Sequence, residues 1–446
     1  LAAQFAHFSV KEYLTSARLA EERDTISRFH VSMTPAHTII AQACLSVLLH
    51  LDENITNKSL KKFPLAEYAA EHWVGHARFE NVAPNVLDGM KRLFDPSKNH
   101  LSIWVWIFDP ERPRRQWWRS ERPAAARATR LHYAASCGMH DIATFLIVEH
   151  SQDVNARGFD DKETPLHVAL RRGHVEVARV LLEHGADTEA RGGNDHTGTP
   201  LLLASRDGHV ELVQVLLKHG ANTESRGGNN HTPLLLASRD GHVELARVLL
   251  KHGANTEARD KDDYSPLERA TQKGYVELVQ VLLEHGADAN AQDKESYTPL
   301  YWASRAGQLA VALVLLRHGA DSKARCKNNH TPLHCAKGEE VTRLLLEHGA
   351  DANALDIQNR TPLHHASELG HVGPARVLLE HGVDANARDA NDATPLHLAS
   401  DPVNRSTDGE HLAVVLLLIQ YGSDIHARDD TGRTPFMRAE EASRAP

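Results

Sequence analysis

The run Thr164-Pro165-Leu166-His167-Val168-Ala169, continued by Gly173-His174 and closed by Leu181-Leu182-Glu183-His184-Gly185-Ala186-Asp187, decides how the rest of the chain is read. Thr-Pro followed by Leu or Phe returns at Thr199, Thr232, Thr298, Thr331, Thr361, Thr394 and Thr434. Ser265-Pro266 and the degenerate Thr129-Arg130 fill the two open slots, and successive starts lie 35, 35, 33, 33, 33, 33, 30, 33 and 40 residues apart. A fixed period of this size marks stacked units that share one core rather than independent domains. Ten units are expected from about residue 129 onward.

Each residue type has a physical reason. Thr accepts from a free N–H at the start of a first helix, and Pro follows where its missing donor costs nothing. Leu points into the stack, and the small Ala169, Ala204 and Ala237 let two helices approach. Gly173, Gly208 and Gly241 fall in the inter-helix turn, and Gly185 ends the second helix where a left-handed residue is needed. One unit alone cannot bury its apolar face, so stacking closes the core.

The order and length of this motif resemble the ankyrin repeat. The resemblance covers about 320 residues and implies an all-α solenoid of helix-turn-helix units with short hairpin fingers, preceded here by a small helical domain. It also implies that the His after Thr-Pro-Leu bonds neighbouring backbone. About half of the 31 histidines fall at three repeat positions: after Thr-Pro-Leu or its degenerate form, after Gly, or before Gly-Ala. A repeat step separates like positions along a stack, so no metal site is expected from them. Departures from the pattern are local. Leu202, Leu235, Glu268 and Tyr301 replace the repeat His. The 30-residue unit loses three residues between Ala336 and Val341, so a shortened or frayed first helix is expected there. The 40-residue unit gains a polar stretch at Asp401–Gly409, expected to be an exposed loop.

Before Arg127 no repeat is visible. Ser9-Val10-Lys11-Glu12 reads as a capping box opening a helix to about Arg18. Apolar spacing predicts further helices over 34–51, 65–78, 85–94 and 101–108. The string Phe5-Ala6-His7-Phe8-Ser9-Val10-Lys11-Glu12-Tyr13-Leu14 is similar to the end of the winged-helix segment of fungal NACHT-type signalling ATPases. Ala41-Gln42-Ala43-Cys44-Leu45 and Pro64–Trp73 are similar to the helical stretch that follows it. The resemblance implies a ligand-sensing role for the repeats, with a nucleotide-binding part upstream of Leu1. No G-x-x-x-x-G-K-[ST] phosphate loop occurs in these residues. The domain reading is 1–108 helical, 109–126 a linker rich in Arg, Pro and Trp, and 127–446 repeats. The linker, with Arg112, Arg114, Arg115, Arg119 and the pair Trp117-Trp118, reads either as a basic patch for nucleic acid or nuclear import, or as a connector packed on the first repeat.

Charge narrows the partners. Residues 1–120 hold 15 Lys+Arg against 13 Asp+Glu, and the remainder 35 against 46, so the repeats carry −11 of the net −9. An acidic repeat region argues against nucleic acid, whose binding needs clustered positive charge. No apolar run reaches the ~18 residues of a membrane helix. Four cysteines without a C-x-x-C pair argue against a disulfide framework. The chain opens on Leu1 and shows no signal-peptide pattern, so it is read as part of a longer soluble protein of the cytoplasm, with the nucleus as the other compartment. Neither G-x-S-x-G nor H-E-x-x-H is present. No enzyme activity, cofactor or small-molecule substrate is therefore expected.

What remains is recognition of another protein, as a sensor half, as a stand-alone scaffold, or as the regulatory arm of a nucleotide hydrolase. Arg171, Arg206, Arg239 and Arg305 lie two residues after the repeat Ala and are expected to line the first helices, facing an acidic partner segment. A second arginine series, Arg157 to Arg428, sits where the fingers begin, and its other reading is pairing with Asp260, Asp293, Asp356, Asp389 and Asp429. The residues just before Thr-Pro vary most. Among them His231, Tyr264, Tyr297 and His330 are expected at the finger tips, with Tyr264, Tyr297 and Arg239 central to a partner footprint.

Overall fold

A computed structural model describes residues 33–112, 127–193, 198–401 and 409–443. The expected capping box at Ser9, the string from Phe5 to Leu14, the Trp117-Trp118 pair and the insertion after Asp401 lie outside the described residues. The described residues are helical, with one isolated bridge between Gly158 and Glu163 and no named strand. Among the described residues five helices come before the repeats: α1 Met33–Leu49, α2 Asn57–Leu60, α3 Ala66–Ala77, α4 Ala83–Phe94 and α5 His100–Ile107. Four match the predicted spans. The short α2 was missed because its signal is only a Thr56 cap closed on Ser59. Their core is aromatic: Trp73 meets Trp104 edge-on at 5.2 Å, and both are fully buried beside Phe94. Trp104 donates its indole N–H to the Ala70 carbonyl at 2.8 Å and stands 6.5 Å from Tyr133 of the first repeat.

From Arg130 the chain alternates short first and second helices, such as Pro165–Arg171 with Val175–Glu183 and Pro266–Lys273 with Val276–Glu284. The caps are as the sequence required. Thr164, Thr232, Ser265, Thr298 and Thr361 each accept from the N–H three residues on. Such caps stabilise by about 1 kcal/mol each. Ala169, Ala204 and Ala237 are wholly buried. The inter-helix glycines explain a second histidine position. Gly370 has φ +71°, and a Cβ there would lie 2.8 Å from the ring of His411 in the next unit. That ring donates from Nε2 to the Glu368 carbonyl at 3.0 Å. His174 treats Gly138 and Ser136 the same way.

The histidine after Thr-Pro-Leu carries the tie between neighbouring units. Thr331 and Thr361 donate their N–H groups to Nδ1 of His334 and His364. This leaves Nε2–H to donate to the carbonyls of Arg360 and Ala393 in the following finger, both at 3.2 Å. His132 reaches Glu163 likewise at 2.9 Å. The third histidine position, before Gly-Ala, closes its own helix: His184, His252 and His318 each bond the carbonyl four residues back at 2.8–2.9 Å.

The 30-residue unit has no first helix. Residues 331–337 form turns, and the chain resumes helix only at Glu339–Glu347. Lys337 N–H then bonds backward to the Ser304 carbonyl at 2.9 Å, using a neighbour's acceptor in place of the deleted turn. The Cα packing separates two compact units, residues 1–204 with 214–221, and residues 205–213 with 222–446.

Burial pushes His132, His334 and His364 down to about 4 from the ordinary 6.5, so they fold neutral. The unfolded chain binds their protons first, so the stability they lend is complete above pH 6.5 and is lost as pH falls toward 4. Each contributes on the order of 3 kcal/mol across that window. Buried Glu268, raised to about 7 by desolvation, works in the opposite direction but is one group against three. Urea unfolding between pH 7.5 and 4.5 should show stability falling with acid. Replacing all three histidines by Leu, which Leu202 and Leu235 already place in this slot, should flatten that slope.

Candidate functional site

The fingers are fixed by aspartate. Asp260, Asp293, Asp356, Asp389 and Asp429 each use Oδ1 to accept the N–H groups two and four residues on, at 2.7–3.1 Å. The finger arginines do not pair with these carboxylates. Arg259, Arg325 and Arg388 instead donate to backbone carbonyls of the next finger, at Gln292, Leu355 and Arg428, over 2.8–3.1 Å. The pairing expected of this series is thus corrected: the aspartate faces its own turn, and the guanidinium reaches across to the next backbone. Asn290 adds a further clamp, accepting from Asp321 N–H at 2.7 Å and donating to the Gly319 carbonyl at 3.0 Å.

The helix arginines are engaged differently from one another. Arg171 pairs with Glu111 at 2.7 Å and Glu163 at 3.2 Å, inside the first compact unit. Arg206 and Arg239 each turn to the adjacent aspartate, Asp207 at 3.2 Å and Asp240 at 2.8 Å. Arg305 lies over the Trp302 ring at 5.7 Å. Pairs this exposed are worth little, so the Arg206 and Arg239 guanidinium groups can exchange partners at small cost.

Around Arg305 the second unit builds an aromatic platform. Tyr297 stacks on Tyr301 at 4.2 Å, and Trp302 meets Tyr297 at 5.3 Å and Tyr264 at 6.2 Å, edge to face. Arg269 covers the Tyr264 ring at 4.4 Å and binds Asp260 through Nε at 2.7 Å. Tyr264, Tyr297 and Trp302 are half-buried, Tyr301 is buried, and Arg305 is exposed. Burial raises the Tyr264 and Tyr297 hydroxyls above their ordinary pKa, so both stay protonated donors. Sequence reasoning named the two finger tyrosines and Arg305 but missed Trp302, Tyr301 and Arg269. The available signal was the slot itself: Tyr301-Trp302 puts two aromatic rings where His167-Val168 and His397-Leu398 carry the repeat His and an aliphatic residue.

His231 and His330 each approach the finger aspartate of the next unit. His231 Nε2 is 3.9 Å from Asp260, and His330 Nε2 is 3.4 Å from Asp356. His365 joins the second pair at 2.9 Å. The argument that the repeat step keeps histidines apart therefore holds for like positions only; a finger tip and the following first helix bring unlike positions together. Elsewhere, a hollow of about 1050 Å³ is lined by Leu396, Leu412, Ile419, Phe436 and Met437 near the last described helix. Among the described residues no helix is long and apolar enough to cross a membrane.

A platform of half-exposed rings should be separable from the core. Tyr264→Ala and Trp302→Ala should each cost about 1 kcal/mol, whereas Leu300→Ala, at a fully buried position, should cost about 2–5 kcal/mol. Urea unfolding of the three variants measures the difference.

The family described as ankyrin repeats in three copies matches residues 131–227, 201–293, 286–356 and 338–429. Azaphilone pigments biosynthesis cluster protein L of Monascus ruber is 34% identical over 164 residues, covering 35% of this chain and 34% of that protein. The chain thus spans about a third of that relative's length. The solved human ASB11 ankyrin repeat domain is 30% identical with a TM-score of 0.43, covering 50% of this chain and 98% of its own. The ankyrin repeat domain of Bcl-3, a member of the IkappaB protein family, is 29% identical with a TM-score of 0.46, covering 50% and 99%. With residues from 131 to 429 matched, well over half of its length, the chain belongs to the ankyrin-repeat family.

Proposed function

We propose that this chain recognises another protein through its repeats, without catalysis, and that the aromatic platform with Arg239 and Arg305 is the centre of the contact. The observation that carries the reading is the packing of Tyr264, Tyr297 and Trp302 beneath Arg269 and Arg305. Aromatic and arginine side chains held in place before binding lose little freedom on contact and dominate interface energies. The arginines suit an acidic segment of the partner, and His231 and His330 lie on the fingers to either side. The wider proposal is that residues 127–446 act as the sensing half of a NACHT–ankyrin signalling protein, residues 1–108 form the helical part that couples to it, and residues 109–126 join them. A cytoplasmic site of action accompanies that reading.

Capture with the full chain and with an Arg206/Arg239/Arg305→Glu variant tests the contact. For any partner retained, Tyr264/Tyr297/Arg239→Ala should weaken binding at least tenfold, the loss of about 1.4 kcal/mol or more. Unchanged affinity would place the contact elsewhere. Genomic sequence upstream of Leu1 tests the wider reading: a phosphate-binding loop supports the sensor, and a start codon beside Leu1 supports a free scaffold.

A further inference from the structure

Three of the finger aspartates turn their second oxygen to the first helix. In the unit beginning at Ser265, Asp260 gives Oδ2 to Arg269 Nε at 2.7 Å. In the unit beginning at Thr434, Asp429 gives Oδ2 to Arg438 Nε at 2.8 Å. Both cations stand four residues after the capping hydroxyl. In the unit beginning at Thr361 the same slot holds His365, whose Nε2 lies 2.9 Å from Asp356 Oδ2. The preceding finger adds His330 Nε2 at 3.4 Å from that oxygen. An arginine in the slot can only donate, whereas an imidazole can offer a lone pair. The exchange of Arg for His thus turns a salt bridge into a set of two nitrogens and one oxygen.

We propose that His330 Nε2, His365 Nε2 and Asp356 Oδ2 bind a divalent transition-metal ion of the zinc class, with a further coordination position left for water or for a side chain of a partner. One ligand atom from each of the three residues lies within 4.8 Å of the other two, and both Nε2 atoms approach Asp356 Oδ2, at 3.4 and 2.9 Å. Zinc bonds of about 2.0–2.2 Å place tetrahedral ligands about 3.3 Å apart, so closure moves the two nitrogens together by at most about 1.5 Å. The anchor is rigid, because Asp356 Oδ1 is held by the N–H groups of Gln358 and Arg360 at 2.7 and 2.9 Å. The Asp356 side chain is 1% exposed, His365 14% and His330 23%, which puts the opening on the His330 side. The nearby cation turns away: Arg360 Nη1 binds Glu368 at 3.0 Å. His334 is not a ligand, since its two nitrogens are taken by Thr331 and the Arg360 carbonyl. The bound ion would tie the finger that opens the shortened unit to the first helix of the next, across the place where residues 331–337 have lost their helix. Two imidazoles and a carboxylate suit zinc, cobalt and nickel better than magnesium or calcium.

Calorimetric titration of the full chain, stripped with a chelator, with Zn2+ and then Co2+ tests this. One equivalent should bind with micromolar or tighter affinity, Co2+ should develop the visible absorption of a four-coordinate nitrogen–oxygen site, and the thermal midpoint should rise with metal. His365→Arg copies the Arg269 arrangement, so it should keep the helical circular dichroism and weaken binding at least tenfold. His330→Gln, on a half-exposed finger, should do the same even if the first variant folds poorly. His231→Gln should leave metal binding unchanged. With 31 histidines in the chain, weak binding at many sites that neither variant reduces would overturn the proposal, as would equal loss in His231→Gln.

Discussion

One interaction sets the register of the stack: the imidazole that follows Thr-Pro-Leu. Its Nδ1 completes the helix cap by taking the threonine N–H, and this fixes the tautomer. The remaining Nε2–H then has a single direction to donate, into the carbonyl just before the next unit's Thr-Pro. Apolar burial makes the helices adhere but tolerates sliding. A buried donor without an acceptor costs roughly 1–3 kcal/mol, so this bond penalises any shift of one unit on the next. Protonation would give the ring a second donor where it must accept, which explains why burial holds these rings neutral.

The fingers use the same economy with other residues. An aspartate spends one oxygen on its own turn, and an arginine reaches over to the neighbouring turn's backbone. The capping, register and finger groups of a regular unit are thereby committed to backbone. The repeat therefore supplies rigidity and little else. Chemistry free for other uses has to come from positions where a unit departs from its neighbours.

Much of this was legible in the sequence. The caps, the small alanines, the turn glycines and four of the five leading helices follow from spacing alone, because each is a local rule about backbone. The weak point at residues 331–337 was legible too, although the three missing residues suggested a shortened or frayed helix and the structure has none there. The roles of the finger charges were not. Whether Arg259 meets Asp260 or the Gln292 carbonyl depends on a separation between adjacent fingers that no linear pattern states. The platform was half legible: Tyr264 and Tyr297 stand out as variable tips, but Trp302 comes from the helix of the same unit as Tyr297 and meets Tyr264 only after stacking.

Leu202, Leu235 and the insertion after Asp401 stand apart, but several other departures fall together, and that bears on function. Glu268, Tyr301-Trp302, the deletion after Ala336 and His365 all fall between residues 265 and 365 of the second compact unit. In each, a residue of the regular set is exchanged for one that the stack does not need. Glu268 cannot donate to the next finger as the repeat histidine does; it accepts from Ser265 N–H and Arg259 instead. Tyr301 cannot complete the cap as the imidazole does, yet it supplies a stacking partner for Tyr297. His365 gives up the permanent charge of Arg269 for a lone pair. Substitutions that weaken the register bond while building an aromatic, arginine-covered surface are costs without return for folding. Under the proposed function they are the terms of recognition, placed where the neighbouring regular units keep the scaffold fixed.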